Sequence, residues 1–247
     1  MPREAVLILG GTRDARELAG LLSARGHRAI TSLAGVTTEP LLPEGEVRRG
    51  GFGGADGLAD YLSREAIAVV VDATHPFAAT ISGHAHAACR RLGLPLLRLE
   101  RPAWQPAPDD RWLDVDGSPA AAAAIPDGAR VLLTIGRRRL EPFLARPGLA
   151  GVIRCIEPPD AGLPPGWLLL RERPPFSLDS ETQLMCGHGI SHLVSKNAGG
   201  MPLPAKLRAA RSLAIPVIMI ARPGKPETAT GATAEALLVA VERLLSP

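Results

Sequence analysis

Two hydrophobic periodicities alternate along the first half of the chain. Residues 5–9, AVLIL, form an unbroken apolar run that Gly10 and Gly11 end. Beyond the glycines, Ala15, Leu18, Ala19 and Leu22 recur at i, i+3, i+4 and i+7, which predicts a helix over 13–25 with one buried face. RAITSLAG (28–35) predicts a second strand, and GGFGG (50–54) leads into a stretch with Leu58, Ala59 and Leu62 on one helical face. IAVVVDATHP (67–76) is a continuous apolar run with a polar end, the pattern of a central parallel strand covered on both faces. A helix over 77–92 and a strand in LPLLRLE (94–100) follow.

The pattern lapses over RPAWQPAPDDRWLDVDGSP (101–119), rich in Pro and Asp, and then resumes. ARVLLTIG, GVIRCIE, SHLVSK and IPVIMIAR are strand candidates. Helices are predicted near 138–146, 179–186, 204–213 and 232–245, and the alanine run 120–124 reads as a helical segment. Strands alternating with helices imply an α/β protein with doubly wound parallel sheets. The expected division is a first domain over 1–100, a connection over 101–119 and a second α/β domain over 120–247, with a cleft between the two.

Composition narrows the partners. The chain has 247 residues, 46% of them hydrophobic and 21% charged, a globular balance. Aromatic residues make up 3%, which argues against base-stacking platforms for nucleic acid. The 28 basic and 25 acidic residues leave a net charge of +3, so an anionic small molecule is the expected partner. Cys89, Cys155 and Cys186 are far apart and form no C-x-x-C pair, which fits a reducing cytoplasm. No apolar stretch is long enough to cross a bilayer, and neither a membrane nor a nucleic acid is expected as partner.

Strand, glycine turn and helix open a dinucleotide-binding unit, in which helix N-terminal amides cradle a pyrophosphate. Gly10 holds the first glycine position of that fingerprint, while Thr12 and Ala15 replace the other two; an ordinary β–turn–α corner is the alternative. NAD sites place an acid about 20 residues after the turn. Here no acid lies between His27 and Thr38, and Ser32 falls near the expected position. Ser32 with Arg13 suits a 2′-phosphate, so a dinucleotide site here prefers NADPH. Gly51, Phe52, Gly53 and Gly54 are expected along the cofactor crevice.

DATHPF (72–77) ends an apolar strand where open α/β sheets bind ligands. His75 is the candidate proton donor, with orientation of a nicotinamide or capping of the next helix as alternatives. SKNAGG (195–200) repeats that logic with Lys196 and Asn197. GRRRL (136–140) and ARPGK (221–225) place Arg137 and Arg222 at two further strand ends, a cationic wall for an anion. No metal site is expected: His84 and His86 point to different sides of a helix, and the context of His188 and His192 is broken by glycine.

Six segments together resemble the precorrin-6A reductase family of cobalamin biosynthesis: ILGGTRDARELA, SLAGVT, GGFGGADGLADYL, VVDATHPFA, LRLERPAW and VSKNAGG…AKLRAAR. The resemblance runs from about residue 5 to 223 in consistent order, and DATHPF with SKNAGG is its most specific part. It implies two Rossmann-like domains and an NADPH-dependent reductase that saturates one double bond of an anionic tetrapyrrole, precorrin-6A, to give precorrin-6B. It also implies cofactor contacts at Gly10, Gly11, Thr12, Arg13, Ser32, Gly35, Val36 and Gly51 to Gly54, with Thr74 and His75 beside the nicotinamide. Arg137, Lys196, Asn197 and Arg222 would face the substrate. An NADPH-binding sensor or tetrapyrrole carrier without turnover, and a reductase of another anionic substrate, are the rival readings.

Overall fold

The computed structural model describes residues 5–35 and 41–246. Along the chain run β1 (Ala5–Leu9), α1 (Arg13–Ala24), β2 (Arg28–Leu33), β3 (Glu46–Arg49), α2 (Gly54–Arg64), β4 (Ile67–Asp72), α3 (Ala79–Leu92) and β5 (Leu96–Leu99). Next come β6 (Trp112–Val115), α4 (Ser118–Ala123), β7 (Arg130–Leu133), the one-turn α5 (Glu141–Leu144), β8 (Ala150–Cys155) and β9 (Trp167–Arg171). The remainder is α6 (Leu178–Gly187), β10 (His192–Lys196), α7 (Ala205–Ser212), β11 (Val217–Ile220), β12 (Ala229–Gly231) and α8 (Ala234–Leu245).

Two six-stranded sheets form, in the orders β12-β5-β4-β1-β2-β3 and β6-β11-β10-β7-β8-β9. Each strand pair among the described residues is parallel. Both orders are doubly wound, with the winding reversing between β1 and β4 in one sheet and between β7 and β10 in the other.

The sixth strand of each sheet departs from the expected division. One compact unit is Met1–Pro102 with Pro223–Pro247, and the other is Ala103–Arg222. β6, inside the expected connection, pairs with β11, while β12 pairs with β5. The C-terminal segment thus belongs with the first unit rather than with the second domain expected over 120–247. Its helix α8 buries Leu237, Leu238 and Val241 in the same cluster as Leu18 and Leu22 of α1. A local pattern announces an element, but the sheet that receives it is chosen by contacts distant in sequence.

Both faces of the first sheet are covered. Val6 and Ile8 of β1 join Val69 and Val71 under α1 and α8, while Leu7 and Leu9 join Val70 under α2 and α3. That two-residue alternation with apolar residues on both faces explains the unbroken run AVLIL. In the second unit Leu132, Val152, Leu193 and Met219 pack with Met185 of α6 and Leu207 of α7.

Candidate functional site

The first sheet reverses its winding between β1 and β4, and open α/β sheets take ligands beyond the carboxyl ends of the strands at such a reversal. Gly10 leaves β1 so close to β2 that a Cβ there would lie 2.6 Å from Thr31 Cγ2. Gly11 takes φ +102°, with open space where a side chain would stand. Thr12 caps α1: its hydroxyl accepts from Ala15 N at 3.1 Å and donates to Ala73 O at 2.8 Å. That second bond ties the turn after β1 to the turn after β4. Arg13 opens the helix on its exposed side and has no polar partner among the described residues. A bare backbone turn leading into a helix N-terminus fits the pyrophosphate of a dinucleotide.

Ser32 lies at the end of β2, buried, in register with Arg48 of β3. Arg48 was absent from the sequence-derived candidates because β3, Glu-Val-Arg-Arg, is a largely exposed edge strand with no apolar period. Its Nη1 donates to Ser32 Oγ at 3.3 Å and to Gly50 O at 2.5 Å, and its Nη2 donates to Gly51 O at 2.6 Å. The guanidinium carbon sits 3.8 Å from the centroid of Phe52, whose ring packs edge-on against Tyr61. No carboxylate pairs with Arg48 among the described residues. The glycine-rich segment therefore fastens an arginine over the end of β2 and then opens α2 at Gly53, φ +82°. Gly35 lies exposed next to this turn, and Val36 falls outside the described residues.

At the end of β4, Asp72 is 1% exposed. Its Oδ1 accepts from the Thr74 hydroxyl at 2.6 Å and the Thr74 N–H at 3.2 Å. Its Oδ2 accepts from Ser82 at 2.6 Å and from Arg98 Nε at 3.2 Å, with Lys225 Nζ at 3.8 Å. Burial would raise this carboxyl; Lys225, Ser82 and Thr74 outweigh it and hold it below the ordinary carboxylate value. Arg98 also donates to Pro226 O at 2.9 Å, so this cluster pins the returning C-terminal segment to β4 and β5. The Thr74 side chain braces the loop from within. His75 is exposed, and its Nδ1 accepts from Phe77 N–H at 3.2 Å, which assigns the proton of a neutral ring to Nε2.

In the second unit the corresponding reversal lies between β7 and β10. Lys196 ends β10 and donates from Nζ to Ile135 O at 2.6 Å. Burial, then Arg139 and Arg138, lower its pKa. Arg137 pairs with Asp160, and its Nε is buried without a hydrogen-bond partner among the described residues. Asn197 is committed to the backbone of Trp104, accepting from its N–H at 2.9 Å and donating to its carbonyl at 3.0 Å. Arg222 Nε donates to Asn197 O at 2.9 Å. Lys196 and Arg137 thus present charge at the strand ends, whereas Asn197 and Arg222 fasten the main chain behind them.

The sequence model of the family described as Precorrin-6x reductase CbiJ/CobK matches residues 5–242. The chain belongs to this family. It is 49% identical over 223 residues, 90% of each chain, to a precorrin-6A reductase of Rhodococcus erythropolis. It is 44% identical over 235 residues, 94% of each chain, to that of Rhodobacter capsulatus. A solved structure titled CobK precorrin-6A reductase shares 43% identity and superposes with a TM-score of 0.92, covering 98% of this chain and 97% of that one.

Both glycine turns and both strand-end motifs of this family member lie at the carboxyl edges of the two sheets. Among the described residues no helix is long and apolar enough to cross a membrane. Nor do three or more His, Cys, Asp or Glu side chains gather there as a metal site.

Proposed function

We propose that this protein reduces precorrin-6A with NADPH, saturating one double bond of the macrocycle to give precorrin-6B in cobalamin biosynthesis. Family membership supports the reductase reading. The pairing of Ser32 with Arg48, at a strand end without an acid, supports the choice of NADPH. When bound, the reduced nicotinamide supplies the hydride.

The turn at Gly10, Gly11 and Thr12 holds the pyrophosphate on backbone N–H groups and the start of α1. Arg48 and Ser32 receive the 2′-phosphate, with Arg13 as a second, more exposed cation from the first turn of α1. Gly35, Val36 and Gly51 to Gly54 shape the adenosine side. Thr74, held by Asp72, sets the loop that carries His75, whose Nε2–H is placed to donate a hydrogen bond that orients the nicotinamide. Lys196 and Arg137 meet carboxylates of the substrate, with Asn197 and Arg222 holding their strand ends in place. Reduction also needs a proton on the carbon next to the one that takes hydride.

Incubation with precorrin-6A and NADPH, followed by NADPH absorbance and the macrocycle spectrum, tests the reading. Oxidation of NADPH only when precorrin-6A is present is expected. Tight NADPH binding without oxidation would identify a sensor or carrier instead.

A further inference from the structure

A carboxylate stands in the first turn of α1, at the helix end assigned above to a pyrophosphate. Asp14 is the second residue of that helix, directly after the turn of Gly10, Gly11 and Thr12. A helix N-terminus bears partial positive charge, which an acidic side chain in the first turn satisfies. An incoming pyrophosphate needs the same positive end, and the Asp14 charge opposes it there. An acid at this position works against a dinucleotide site unless a cation offsets it.

Arg101 supplies that cation. Its Nε lies 3.2 Å from Asp14 Oδ2, and the two side chains are only 25% and 20% exposed, so the pair is screened less than a surface one. The same carboxylate oxygen is buried and has no hydrogen-bond partner among the described residues. The Arg101 charge is therefore what stands against it. Arg101 comes from beyond the carboxyl end of β5, where the preceding residue, Glu100, donates its N–H to Gly231 O at 2.9 Å and ties the exit of β5 to β12. The arginines of α1 itself are placed otherwise. Arg13 is exposed, and Arg16 Nη1 donates to Thr12 O at 3.3 Å.

We propose that Arg101 is a positioning residue of the dinucleotide site: by pairing with Asp14 it keeps that carboxylate's charge off the pyrophosphate turn. This rests on the assignment of the pyrophosphate to Gly10, Gly11 and Thr12. Asp14 stabilises the start of α1, and its pairing with Arg101 leaves the helix end open to an anion. Because Arg101 acts at the pyrophosphate, it serves NADPH and NADH alike, unlike Arg48 at the 2′-phosphate.

Titrations of NADPH and of NADH, followed by nicotinamide fluorescence at low and high salt, test the pairing. Arg101→Met leaves the Asp14 charge uncompensated, and both dissociation constants rise by a similar factor, about two- to fivefold at low ionic strength. The rise shrinks at high salt. Asp14→Asn acts in the opposite direction: both dissociation constants fall, while the thermal midpoint also falls because the helix end loses its acid. In the double variant neither charge remains, and affinity returns to within about twofold of the wild type. A purely structural pair would weaken binding in Asp14→Asn as well; that result, or unchanged affinities in this variant, overturns the proposal. Asp14→Asn carries the test alone if Arg101→Met does not fold. A double variant as weak as Arg101→Met would make Arg101 itself a phosphate ligand and also overturn the positioning role. A wild type that binds neither dinucleotide overturns the cofactor reading instead, so the two failures are distinct.

Discussion

Arg48 reaches across the edge of the first sheet to Ser32, with Nη1 3.3 Å from its hydroxyl and the two residues paired in register between β2 and β3. Two backbone carbonyls and the Phe52 ring hold the guanidinium in place, so its charge is available at no further ordering cost. Loss of a charged hydrogen bond to phosphate costs about 1.5–3 kcal/mol. Arg48→Leu is expected to raise the NADPH dissociation constant at least tenfold while barely altering that of NADH. Arg13→Ala, on the exposed first turn, has a smaller effect of the same kind. Equal weakening of both cofactors in fluorescence titrations would remove Arg48 from the 2′-phosphate.

Thr12→Val removes the helix cap and the bond to Ala73 O together. A cap is worth about 1 kcal/mol, and its loss should lower the thermal midpoint accordingly. Because the pyrophosphate is common to both dinucleotides, NADPH and NADH affinities should fall by similar factors. A selective loss of NADPH would contradict that placement.

Asp72 is the carboxylate on which Thr74, Ser82, Arg98 and Lys225 converge. Asp72→Asn leaves buried cations without their anion, a loss of about 3–5 kcal/mol. The folded carboxyl titrates below its unfolded value, so its stabilisation is present above the ordinary carboxylate range and is lost as pH falls through the folded value. The stability gap between wild type and Asp72→Asn should therefore close on acidification. A gap independent of pH in denaturant titrations would refute the charge-based account.

For Lys206 of α7, where burial and then the Arg154 charge disfavour the ammonium, the sign is reversed. Its folded value lies at about 7, below that of an unfolded lysine at about 10.4, so the buried charge penalises folding below pH 7. That penalty fades as pH rises from 7 towards 10. Lys206→Met should accordingly be most favourable relative to wild type near pH 6, with its advantage shrinking through pH 9. Parallel melting curves for the two proteins across that range would show that Lys206 does not titrate as argued.

His75 accepts from Phe77 N–H through Nδ1, which assigns the proton of a neutral ring to Nε2. An asparagine amide also donates, so His75→Asn should retain much of the single-turnover rate. General acid catalysis supplies roughly 10²–10⁴-fold, and a drop beyond a hundredfold with unchanged ligand binding would make His75 the proton donor.

Inner strands and long helices were legible in the sequence because both of their faces, or one full stripe, are buried. The four strands that escaped, β3, β6, β9 and β12, are the four sheet edges. An edge strand pairs on one side only, and β3 with three exposed residues of four gives no hydrophobic period to read. The same gap hid Arg48, whereas the glycine turn, the acid-free end of β2 and the two strand-end motifs stood out as local patterns.

The sequence by itself determined the parallel α/β class, the position of both crevice-forming turns and the residue types at the strand ends, since those follow from spacing along the chain. The tertiary structure decided which sheet each sixth strand joins. It also decided that Asn197 and the Nε of Arg222 hydrogen-bond the main chain, and that Arg48 meets Ser32 and Lys206 meets Thr134. These are contacts between residues 16 to 132 positions apart, and local periodicity carries no information about which distant groups a closed core brings together.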